Sequence, residues 1–64
     1  MPESSELRMV LEHVRRGEQI VARQHEIIES LTRLGGGTAM AESLLCQFDA
    51  ILLEHRQHLA RLRA

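Results

Sequence analysis

Leu31-Thr32-Arg33-Leu34-Gly35-Gly36-Gly37-Thr38-Ala39-Met40-Ala41 is the stretch on which the fold turns. Three consecutive glycines interrupt two long periodic segments, and Thr38 behind them is a good residue to open a helix. Glycine tolerates the left-handed backbone that closes many helices, so Gly35 reads as the residue just past the end of the first one. A flexible linker between unrelated pieces is the competing reading. The shortness of the gap and the periodicity on both sides favour a helical hairpin instead.

Upstream of the glycines, Leu7, Val14, Val21 and Ile28 recur every seven residues, with Val10 and Leu31 three positions further on. Ile20, Ile27 and Leu34 stand one place before the next heptad step, which makes the apolar stripe wider than a two-stranded seam. Gly17 and Gln24 occupy the remaining seam positions. Ser4 or Ser5 is the candidate cap, and Glu6 suits the positive end of the helix dipole. The first helix is expected over about residues 5–34, a length of roughly 45 Å.

Downstream, Ala41, Phe48, His55 and Leu62 form a second sevenfold series, flanked by Leu44, Leu45, Ile51, Leu52 and Leu59. A second helix is therefore expected over about 39–63, with the turn at 35–37. Glu12–Arg16 and Glu29–Arg33 have helical ion-pair spacing, each worth only about 0.2–0.5 kcal/mol. Residues 1–64 read as a single all-α domain, an antiparallel two-helix hairpin.

Sixty-four residues form one domain at most, and a core this small rarely supplies more than about 3–5 kcal/mol. One cysteine allows no internal disulfide, so a partner chain is the expected remedy. Both apolar stripes are broader than one helix–helix contact covers. Two hairpins pairing as a homodimeric four-helix bundle would hide the excess. The expected core is Leu7, Val10, Val14, Gly17, Val21, Ile28, Leu31, Leu44, Leu45, Phe48, Ile51, Leu52, Leu59 and Leu62. Residues 17–54 hold two Arg and six acids (−4), the remainder six Arg and three acids (+3). That division biases the pairing toward hairpins running in opposite directions, weakly, because surface charges are screened.

Composition removes several functional classes. Every cation is Arg, so neither Schiff-base chemistry nor a P-loop is open to the chain, and a net charge of −1 is unlike a dedicated nucleic-acid binder. No apolar run is long enough for a membrane span, no secretory signal opens the chain, and the unpaired Cys46 suits a reducing compartment; the cytoplasm is the expected location. His25-Glu26-Ile27-Ile28-Glu29 falls one residue short of the zinc-protease H-E-x-x-H, and no Glu has a His three residues on, as di-iron bundles require. Four histidines are the compositional oddity. A hairpin centred on the glycines pairs position i with 73 − i, which sets His13 near the turn carrying His55 and His58, yet no Cys or acid joins them as a metal site. The same register places Gly17 opposite residue 56. No catalytic set, metal or cofactor is expected, and the chain reads as a non-enzymatic interaction or regulatory module with an unidentified protein partner. Arg15, Arg16, Arg56, Arg61 and Arg63 at the open end support the alternative, an RNA- or DNA-binding regulator, although Phe48 on the core face offers no stacking platform.

Gly17-Glu18-Gln19-Ile20-Val21-Ala22-Arg23-Gln24, then Ile27-Ile28-Glu29 and Leu31, the glycine turn with Thr38, Ala41-Glu42-Ser43-Leu44-Leu45 with Phe48, and His55-x-x-His58-Leu59 are similar to a recurrent pattern in short bacterial helical-hairpin proteins of unknown function. That resemblance spans about residues 7–62 and implies a fold but no activity. In architecture alone the hairpin also resembles the ROP protein, a dimeric RNA-binding hairpin. ROP's reading face needs basic and aromatic residues along one helix surface, and the first helix here has no aromatic residue.

Overall fold

The computed structural model describes residues 4–64, so residues 1–3 of the expected domain lie outside the described residues. Two helices pack against each other, α1 (Ser5–Arg33) and α2 (Ala39–Arg63), and the described residues contain no strand. Ser4 caps α1: its backbone is extended and its hydroxyl accepts the Leu7 N–H at 3.0 Å, satisfying one of the donors a helix start leaves open. Neither expected intrahelical ion pair closes among the described residues; Arg33 donates instead to Ser30 Oγ at 3.4 Å.

The turn is a Schellman motif. Gly35 has φ +75°, its N–H donates to the Thr32 carbonyl at 3.1 Å, and the Gly36 N–H donates to the Leu31 carbonyl at 2.9 Å. Gly35 is thus the left-handed residue that the sequence pointed to. Thr38 precedes α2 as expected but caps it differently. Its backbone is near-helical (φ −113°, ψ −1°) rather than extended, so its hydroxyl makes no cap bond, and only its carbonyl takes part by accepting the Glu42 N–H at 2.8 Å.

The 6→1 bond of the Schellman motif turns the chain back on itself to the height of Leu31. α2 therefore starts a turn lower along α1 than a hairpin centred on the glycines would have it. Contacts along the seam follow the shifted register: Gly17 meets Leu52 and His13 meets His55, pairs whose numbers total 69 and 68 rather than 73. Gly17 accordingly faces Leu52, not residue 56.

Along α1 the seam is Leu7, Val10, Val14, Gly17, Val21, Gln24, Ile28 and Leu31, all buried or half-buried. Along α2 it is Ala41, Leu45, Phe48, Leu52, His55, Leu59 and Leu62, spaced alternately four and three apart. This spacing is the period that keeps one stripe facing a partner helix. Leu44 and Ile51, expected in the core of a dimeric bundle, stand outside the hairpin's own seam and are 40% and 50% exposed. The α2 stripe is wider than one helix can cover, and α1 covers only the half closer to Leu45 and Leu52.

Burial is thin. Val10, Gln24, Ala41 and Leu52 are buried, and Val10 at 1% is the most enclosed. The molecule is a rod of 53 × 16 × 13 Å with a radius of gyration of 15.0 Å, against about 10.7 Å for a compact chain of this length.

At Gly17 an added Cβ would stand 2.8 Å from Leu52 Cδ1, so the missing side chain leaves room for a buried leucine of the other helix. It costs α1 about 1 kcal/mol of helix propensity and makes room for Leu52.

Two stability predictions follow from this geometry. Gly35→Ala forces a Cβ into the left-handed region and should lower stability by about 1 kcal/mol, whereas Gly37→Ala, with open space and no positive φ, should change it by less than about 0.5 kcal/mol. Urea melts followed by circular dichroism separate the two. Gly17→Ala should be at least about 1 kcal/mol more favourable in a Leu52→Val background, which lacks Cδ1, than in the native chain. Equal effects in both backgrounds would contradict the contact.

Candidate interaction face

With the seam fixed, the residues beside it fall on two flanks of unlike chemistry. One is polar: Glu18 and Arg56 reach across it at 3.3 Å, and His25, Thr32, Glu42, Asp49 and Arg63 lie along it with Leu11. Both members of the Glu18–Arg56 pair are 53% exposed, so it contributes at most about 1 kcal/mol.

The other flank carries the excess apolar surface. Glu6 and His58 cross it at 3.0 Å at the open end. Beyond them the α1 heptad that begins at Glu6 and His13 continues as Ile20, Ile27 and Leu34, while the α2 heptad that ends at His58 consists of Leu44 and Ile51. These five aliphatic side chains are 45%, 38%, 83%, 40% and 50% exposed. They form one band between the helices, confined to the half of the rod nearest the turn. Met40, 81% exposed, borders it. Soluble monomers rarely expose contiguous apolar patches of this kind.

Among the described residues, Gln24 is the buried polar side chain. It is 6% exposed, and its Nε2 donates to the Ala41 carbonyl at 2.8 Å. Ala41 is small enough to leave that carbonyl within reach, and a carbonyl has a second lone pair beyond its helical bond. The sequence showed a polar residue at a seam position; the signal for its bond was the alanine facing it. A polar side chain satisfied at one register and orphaned at others holds the helices in phase.

At the open end the rings of His13 and His55 lie 4.8 Å apart at 46°. His55 is in the seam and half-buried, and His58 on its border is also half-buried. The shifted register therefore brings His13 directly against His55. Among the described residues, no group of three His, Cys, Asp or Glu side chains converges to hold a metal ion. Cys46 is exposed on the outer surface of α2. A shallow concavity of about 510 Å³ is lined by Ser5, Arg8, Met9, Glu12, His13 and Arg16, all from α1. No described helix is long and apolar enough to cross a membrane. No family model, no curated protein and no solved structure matches the chain.

Gln24→Ala should destabilise the hairpin by about 2 kcal/mol, through a cavity and a lost hydrogen bond. Gln24→Leu, which refills the volume, should recover most of that loss in chemical denaturation, since a carbonyl left with its helical bond alone costs little.

Proposed function

We propose that this chain is a non-enzymatic interaction module that works as a homodimer, two hairpins closing into a four-helix bundle through the Ile20–Ile27–Leu34–Leu44–Ile51 flank, in the cytoplasm and serving a further protein partner. The observation that carries the reading is the band of five exposed aliphatic side chains on one flank of the seam while the opposite flank is mostly polar; Leu53 and Met9, also exposed, stand outside that band. Surface area supports it. The hairpin has 5135 Å² accessible, about 970 Å² more than a compact monomer of its mass. One side of a standard protein interface buries about 800 Å². The thin core supplies a reason for dimerisation, because few side chains of the lone hairpin leave water entirely.

An RNA- or DNA-binding regulator is the alternative, and the geometry favours it less. Arg56 of the basic end is engaged by Glu18, and Phe48 is half-buried in the seam, away from any base-stacking surface.

Sedimentation equilibrium at micromolar concentration should return twice the 7.3 kDa chain mass. Ile27→Glu should weaken association by about 100-fold or more, because it buries a carboxylate at the centre of the face. Asp49→Ala on the polar flank should leave association unchanged. A cooperatively folded 7.3 kDa monomer would overturn the proposal.

A further inference from the structure

The apolar band lies off centre, and its position constrains how a second copy can sit on it. Ile20 and Ile51 mark its lower limit at about mid-rod, and Leu34 and Met40 its upper limit at the turn. Two alignments stack one such face on another with two-fold symmetry. If the axis runs across the rod, the turns point in opposite directions and α1 lies on its own copy. If the axis runs along the rod, the turns share one end and α1 lies on the second copy's α2.

We infer that the second copy docks with its turn at the same end. This rests on the homodimer proposed above and specifies its geometry. With the axis along the rod, heights are preserved, so the whole band meets itself in the turn half while the rods overlap along their full 53 Å. Ile20 stands against the second copy's Ile51, and Ile27 against its Leu44. Leu34 and Met40, 83% and 81% exposed, close the turn end together. With the axis across the rod, Ile20 and Ile27 can exchange partners, and so can Leu44 and Ile51, but only by sliding the copies so that their open ends overhang. Leu34 then falls at the height of the second copy's His13 and His58.

The rims of the face agree. Arg16 and Arg23 border it on α1, Gln47 and Glu54 on α2. Sharing one end sets Arg16 at the height of the second copy's Glu54, and Arg23 at that of its Gln47. The crossed alignment sets Arg23 against Arg23 beside the axis. The coarse division into a basic open end and an acidic turn half favours the crossed alignment. Exposed charges of this kind are screened and individually weak, however, and the aliphatic band outweighs them.

Pulsed dipolar EPR on the full chain decides between the alignments. A spin label on native Cys46 reports dimerisation, since both arrangements bring the two Cys46 positions within range. A label at Arg63→Cys in a Cys46→Ser background should give a separation below about 35 Å if the open ends coincide, because helices diagonal in a bundle are about 14 Å apart. The crossed alignment puts those labels about 45 Å or more apart at 1.5 Å per residue. A short distance supports the inference, and a long one overturns it while leaving the dimer standing. No coupling at either site, with monomeric mass, removes the dimer itself. Charge reversal gives a second readout: Arg16→Glu should weaken association about tenfold, and Glu54→Arg in the same chain should restore it. Failure of the pair to rescue would also overturn the shared-end alignment.

Discussion

The contact between the Gly36 N–H and the Leu31 carbonyl sets the phase of the whole hairpin. It folds the chain back by one turn before α2 begins, and every cross-helix pair inherits that offset. Leu52 settles against Gly17, where no Cβ stands in its way, and Gln24 comes within reach of the Ala41 carbonyl. A slip of one heptad step would drive Leu52 against a side chain and strand the Gln24 amide. Turn geometry, steric fit and one buried hydrogen bond therefore specify the same register, and agreement between levels of this kind is what makes a short chain choose a single packing.

A consequence of this register is the sorting of the flanks. Once Gly17 and Leu52 face each other across the seam, heptad geometry leaves Ile20, Ile27 and Leu34 on the same side as Leu44 and Ile51, and Glu18 with Arg56 on the other. Fully burying one exposed Leu or Ile gains about 1.5–3 kcal/mol. An exposed ion pair gains at most about 1 kcal/mol. The flank bearing the aliphatic side chains is thus the one whose covering changes the free energy most, and the polar flank belongs to water. The proposed bundle follows from that inequality.

The histidines illustrate how a compositional signal is absorbed by packing. Four imidazoles in a short chain suggest metal chemistry, yet His55 lies in the seam, His13 stacks near it, and His58 bonds to Glu6. Each of these three has a neighbour that accounts for its position. Their grouping is a product of antiparallel helices joined at the far end, which gather residues near both termini at the open end of the rod.

How much was legible beforehand depended on whether the property is local. The sevenfold recurrence of Leu7, Val14, Val21 and Ile28 and the left-handed Gly35 are set by helical period and backbone sterics, and these the sequence determined alone; the cap, open between Ser4 and Ser5 in the sequence, falls at Ser4. Gly17 and Gln24 could be assigned to the seam by the same count. Their partners could not be assigned, because height along the opposing helix depends on how far the Schellman motif returns the chain, a matter of three-dimensional hydrogen bonding rather than residue type. The division of Leu44 and Ile51 from Leu45 and Leu52 has the same origin. All four belong to one broad apolar stripe in the sequence, and only the direction from which α1 approaches decides which pair it covers.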